Sequence, residues 1–257
     1  MALFPMTPSI TAAGLVFRPA AERFHSQLDW LDSWHSFSFA GHHDPAWMGF
    51  GPLRVINDDT IAAGRGFGLH PHRDMEIITV RVEGQLNHRD SLGHAEVLQA
   101  GEVQRMSAGS GVVHSEINQG SRPCRLLQIW IEPSQPGGPP AYEQKPFALG
   151  PGWTPLIDPG RRGGAMAIQR PVTLWRARLQ PGEELALPPA AGCLCWLQLI
   201  DGDVVPVGPE AGADRPAHPQ GLPARLGRGD GLGWAAGALQ QLRAGDGGAD
   251  LLLFALD

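Results

Sequence analysis

The chain has 257 residues, 42% of them hydrophobic and 18% charged, with a net charge of −6. That balance excludes a disordered or membrane-spanning chain, and the length suffices for one large domain or two without disulfide staples. A single lysine, Lys145, stands against nineteen arginines with no basic run, which argues against direct nucleic-acid binding and against attraction to a membrane surface.

The first residues, Met1–Met6, lack a basic stretch and a continuous apolar run, so no signal peptide is expected and the cytoplasm is the expected location. The apolar runs, such as Leu251–Leu256, are too short to cross a bilayer. Glycine (34) and proline (24) are abundant but dispersed among short apolar runs, the pattern of an all-β protein. Trp30, Trp34, Phe37, Phe39, Trp47, Met48, Phe50, Phe67 and Met106 crowd the first half; most belong to a core, and a few would line an apolar pocket. His25, His35 and the pair His42-His43 precede any strong strand pattern. Adjacent residues on an extended chain point apart, so His42-His43 reads as part of a loop.

Next comes His70-Pro71-His72, and Glu76–Glu83 reads as a strand with Ile78, Val80 and Val82 on the parity of the two histidines. Turns follow at Glu83-Gly84, Ser91-Leu92-Gly93 and Ala100-Gly101. Further strands fit Ala95–Leu98, Glu102–Met106, Val112–Asn118 and Arg125–Glu132. His88-Arg89-Asp90 falls in a hairpin, where a solvated face is the default, and His94 follows it. The turn spacing suits a jelly roll. Pro133–Pro140 cannot sustain a ladder or a helix, since proline removes donors and glycine removes stiffness. Past it the chain is irregular over Leu156–Gly164, and strand patterning resumes near Ala165.

The second half echoes the first. Val82–Leu86 resembles Ile200–Val204, Gly101-Glu102 resembles Gly229-Asp230, and Leu126–Ile131 resembles Leu251–Leu256. This suggests two copies of one β-fold. The ligands do not repeat: positions matching His70 and His72 hold Pro188 and Ala190, and those matching His114 and Glu116 hold Leu242 and Ala244. The remaining histidine, His218, lies in a Gly/Pro-rich stretch.

Two i,i+2 pairs carry the chemistry: His70 with His72, and, after 41 intervening residues, His114 with Glu116. Residues two apart on a strand share a face, so each pair aims two side chains at one point. Glycines 64, 66, 68, 109 and 111 precede the pairs and permit close backbone approach. A three-histidine, one-carboxylate set suits iron, nickel, copper, manganese or zinc. Glu76 also lies on the parity of His72, leaving it as a rival fourth ligand or as a partner that hydrogen-bonds a histidine. Cys124, Cys193 and Cys195 form no CxxC motif and read as reduced, buried thiols.

The motifs His70–Glu76 and Met106–Glu116, with Trp30–Phe39 and Met48–Val55, resemble the signature of the pirin family, closely over about Arg18 to Ile131. Among its members the chain is most similar to bacterial ones described as quercetin 2,3-dioxygenases. The resemblance implies a bicupin: two jelly-roll β-barrels in tandem, a metal-binding cupin over 1–145 and a degenerate, metal-free one over 146–257. It implies one divalent metal, iron(II) first, held by His70, His72, His114 and Glu116, which chooses Glu116 over Glu76. The general cupin pattern fits as Gly64-x5-His70-x-His72-x3-Glu76 and Gly111-x2-His114-x3-Asn118, without the usual proline. The implied reaction is cleavage of a flavonol such as quercetin by O2, with loss of carbon monoxide and Glu116 as general base. Small aromatic substrate and O2 are the expected partners. Two other readings stand beside it: a redox-sensitive regulatory protein whose metal modulates a protein partner, and a structural zinc site.

Overall fold

The computed structural model describes residues 14–190, 192–207, 222–235 and 237–257. His218 and Met1–Met6 lie outside them. The strands are Leu15–Arg18 (β1), Phe24–Gln27 (β2), Leu31–His35 (β3), Leu53–Ile61 (β4), Gly66–His72 (β5), Glu76–Glu83 (β6), Leu86–Asp90 (β7), Ala95–Leu98 (β8), Glu102–Ser107 (β9) and Val112–Ile117 (β10). Cys124–Ile131 (β11), Ala141–Pro146 (β12), Thr154–Ile157 (β13), Thr173–Leu179 (β14), Glu184–Ala186 (β15), Leu194–Val207 (β16), Leu226–Gly227 (β17), Gly231–Ala235 (β18) and Gln241–Leu256 (β19) follow. The all-β class holds.

The expected pair of closed jelly-roll barrels does not form. Among the described residues the strands build three open antiparallel sheets: β5-β10-β7-β8, β12-β9-β6-β11-β4-β3-β2, and β1-β18-β16-β19-β14-β13, with β15 and β17 attached to the last. A barrel requires the terminal strands of a sheet to pair, and here they do not. The reason lies in the turns. At Arg73–Met75, where Asp74 takes a left-handed φ of 51°, the chain leaves β5 in one sheet for β6 in another. It crosses again between β9 and β10 and between β10 and β11. Turn spacing reveals strand lengths but not which strands pair, so a layered sandwich and a barrel look alike in sequence.

The central strands read as nearly continuous apolar runs because both their faces are covered. On β6 and β11, Ile78, Val80, Leu127, Ile129 and Ile131 point away from the four-stranded sheet. They pack with Leu174, Trp196, Ile200, Leu252 and Phe254 of the third sheet in one core. The opposite parity, Thr79 on β6 and Gln128 on β11, faces the four-stranded sheet and hydrogen-bonds across to Glu116 of β10. A polar layer thus lies between the two sheets; beyond it β6 and β11 turn an apolar face to the third sheet, while the far side of the four-stranded sheet carries exposed residues such as Arg89, Ala95 and Val113.

Two details bear on the expected repeat. Gly84 and Gly202 both adopt left-handed φ (77° and 72°), and a side chain at either would strike the backbone of a later strand, at Pro123–Cys124 and Gly248–Ala249 respectively. Backbone pairing resumes at Met166, which bridges Ile157, ahead of the next full strand at Thr173, and β13 forms where an irregular stretch is expected. Asp158 organises the intervening turn by accepting from the backbone of Gly160 and the guanidinium of Arg162.

Candidate metal centre

β10 is the central strand of the site, flanked by β5 and β7. Its register sets His114 opposite His70 and Val112 opposite His72. On the other side Glu116 lies opposite His88 and His114 opposite Asp90. Between His114 and Glu116 the β5 register slips, a bulge that re-aims the side chains on either side of it. Gly66 makes this possible: its φ is 154°, and a Cβ there would overlap the Glu116 carbonyl.

The structure gathers His70, His72 and His114, with one ligand atom of each within 4.8 Å of the others. The ring centroids lie 4.4–4.8 Å apart. Glu116 falls in a second group, also within 4.8 Å, with His114 and His88. His114 is shared, so the four expected ligands form two overlapping clusters rather than one.

The protonation pattern suits a ligand set. His70 Nδ1 lies 2.7 Å from the Gly68 carbonyl; a carbonyl only accepts, so this nitrogen donates and Nε2 keeps its lone pair. Burial, reinforced by the neighbouring histidines, pushes His72 down to about 4 and His114 down to about 3. Both are therefore neutral at pH 7, the form that binds a metal. His114 Nε2 is buried and has no protein partner, a polar atom whose cost is relieved only by something bound.

Glu116 is 2% exposed and sits among amides. Gln128 Nε2 donates to one oxygen at 2.7 Å, and Gln104 Nε2 (3.3 Å) and Thr79 Oγ1 (3.4 Å) donate to the other. Gln128, Thr79 and Gln104 are successive cross-strand partners on β11, β6 and β9, a polar row beneath the carboxylate. Three clustered imidazoles, an orphaned ring nitrogen and a nearby carboxylate fit a borderline divalent transition metal.

Glu76 does not join either cluster. The turn at Asp74 breaks the strand parity, and Glu76 instead accepts from Ser107 Oγ at 2.6 Å. His88, expected on a solvated face, is 1% exposed and belongs to the site. The signal was the alternation Leu86, His88, Asp90 on β7, the same i,i+2 parity that marks the other pairs. Trp130, also overlooked, stands edge-on to His72 at 5.0 Å, with Phe39 edge-on to Trp130 at 5.4 Å. Phe67 packs near His70. His42 and His43 lie in a loop as expected, while His35 is buried against Asn57, 2.8 Å from Nδ1. Beside His72 opens a cavity of about 400 Å³ lined by Pro71, His72, Arg73, Ser91, Val112 and Val113. A separate cavity of about 480 Å³ lies in the third sheet around Leu187, Cys195 and Trp234, apart from these histidines. Burial pushes the Cys124 and Cys195 thiols up to about 11 and about 12, which keeps them protonated and inert.

The family model described as Pirin matches residues 17–131. The chain is 46% identical over 198 residues to a quercetin 2,3-dioxygenase of Escherichia coli K12, covering 77% of this chain and 86% of that protein. Its fold is similar to the crystal structure of YhhW from Escherichia coli, with TM-score 0.84, 40% identity and coverage of 95% and 97% of the two chains. It is similar too to the nickel(II) complex of the bacterial pirin YhhW, with TM-score 0.83, 41% identity and coverage of 94% and 98%.

Proposed function

Because this chain belongs to the pirin family, we propose that it is a metal-dependent dioxygenase that cleaves a flavonol such as quercetin with O2. The observation that carries this reading is the trio of histidines around the unpartnered His114 Nε2, with a hydrogen-bonded carboxylate beside it. His70, His72 and His114 would hold the ion, with Glu116 as fourth ligand. Iron(II) is the metal we propose; a related structure holds nickel(II). The bound ion supplies Lewis acidity toward the enolic oxygen of the substrate.

The rest belongs to the chain. Glu116 takes the enolic proton on a carboxylate oxygen, and the Gln128, Gln104 and Thr79 donors hold that carboxylate in place. His72 is the proposed ligand that borders the cavity of about 400 Å³, and the substrate would approach the ion from that side. The electron-rich anion left behind reacts with O2. Among the described residues no helix is long and apolar enough to cross a membrane, and the reading requires no membrane partner.

The test is loss of the quercetin absorbance band under air with metal-loaded protein. A Glu116→Gln variant should lose about 10²–10⁴-fold in rate, the usual contribution of a positioned base. No turnover by the loaded wild type, or a variant as fast as wild type, would sink this role.

A further inference from the structure

We infer that Asp90 and His88 form a positioning chain that fixes the ring of His114 in the tautomer a metal ligand requires; this rests on the proposed reading of His114 as a ligand. The chain begins at Asp90, whose carboxylate is fully shielded from solvent. Its Oδ1 accepts the backbone N–H groups of Leu92 (2.9 Å) and His94 (3.0 Å). Its Oδ2 accepts from His88 Nε2 at 3.0 Å and from His94 Nδ1 at 2.8 Å.

An ionised carboxylate only accepts, so His88 Nε2 must carry a hydrogen. In the imidazole form Nδ1 of His88 then carries a lone pair. That nitrogen faces His114 Nδ1 at 3.5 Å, and two lone pairs cannot face each other without repulsion. His114 therefore carries its hydrogen on Nδ1, which leaves the lone pair on Nε2. Nε2 is the buried nitrogen without a protein partner. The order of protons runs inward from Asp90 and ends on the atom the ion would need.

The rings are held as well as the protons. Tyr142 stacks on His88 and on His94, with ring centroids 4.6 Å apart in each case. Its hydroxyl donates to Gln144 at 2.8 Å and approaches Gln104 at 3.2 Å. Gln104 is one of the donors to Glu116, so one clamp serves both sides of the site. His94, with 37% of its side chain exposed, forms the outer end. The geometry also decides against His88 as a ligand in its own right: Asp90 occupies Nε2, and Nδ1 is turned to His114.

The readout is the dissociation constant for nickel(II), measured by chelator competition, together with the number of ions bound. Wild type should bind one equivalent. Asp90→Asn replaces the acceptor-only group by an amide of the same shape, and should weaken binding about 10–100-fold with near-UV dichroism unchanged. Asp90 also caps the turn to His94, so His88→Gln, which leaves those bonds intact, decides the matter if Asp90→Asn does not fold. Variants that bind as tightly as wild type overturn the chain while leaving the metal site standing. Two equivalents in wild type, one of them lost in His88→Gln, would make His88 a ligand and also overturn it. A wild type that binds no ion removes the proposed function and this inference together.

Discussion

Asp59 shows how a single buried group records the polarity of this site. It is 3% exposed on β4, and burial raises its carboxyl to about 7 against the opposing hydrogen bond from Ser33; Asp58 and Glu116 add to the rise. An unfolded aspartate titrates near ~4. Between those values the native state holds a proton that the unfolded chain has lost, so stability contributed here is full below ~4 and falls as pH rises to about 7. Asp59→Asn removes the titration while keeping the shape. Its unfolding midpoint should therefore exceed that of wild type by more at pH 8 than at pH 5. An equal difference at the two pH values in thermal unfolding would contradict this assignment.

The β5–β10 contact carries the corresponding prediction at the scale of elements. Only Gly66 of the three glycines before His70 is packed against a neighbour; Gly64 and Gly68 have nothing near a Cβ position. Gly66→Ala should push β5 away from Glu116 and cost about 1–3 kcal/mol, the usual range for overpacking. Gly68→Ala should change the denaturation midpoint little, and two equal effects would refute the close approach. This element also shows what the sequence made legible. The i,i+2 spacing exposed His70, His72 and His114, because alternation along a strand is a local property. Local spacing cannot register a change of sheet, so the left-handed turn at Asp74 took Glu76 away to Ser107 unseen. His88 carries the same local alternation on β7, but its place beside His114 comes only from the pairing of β7 with β10. The amide row under Glu116 was hidden for this reason too, since Gln104 and Gln128 meet only across strands.

On the scale of the whole molecule, the third sheet completes what the first half begins. β1 leaves the N-terminal segment to pair with β18. Arg125 of β11 clasps Asp58 through Nε and Nη2 at 2.8 and 2.9 Å, and reaches Asp201 of β16 through Nη1 at 2.9 Å. Asp58 and Arg125 are both nearly buried, a pairing that fixes orientation more than it adds stability. With the shared core around Trp196 and Phe254, it sets the outer face of β6 and β11 rigidly, so that their inner face can present Thr79 and Gln128 to Glu116. All-β character and the confinement of the ligand pairs to the first half were readable from turns and missing histidines. Sheet closure was not, because pairing partners far apart in sequence leave no periodic trace.

The most direct test combines metal and oxygen in one preparation. Protein purified without oxygen, stripped of metal and reloaded with iron(II), would be given quercetin and a known quantity of O2. The proposed reaction requires O2 uptake matched mole for mole by quercetin loss and carbon monoxide release, in the reloaded sample and not in the stripped one. Equal rates in both samples, or quercetin loss without carbon monoxide, would contradict it.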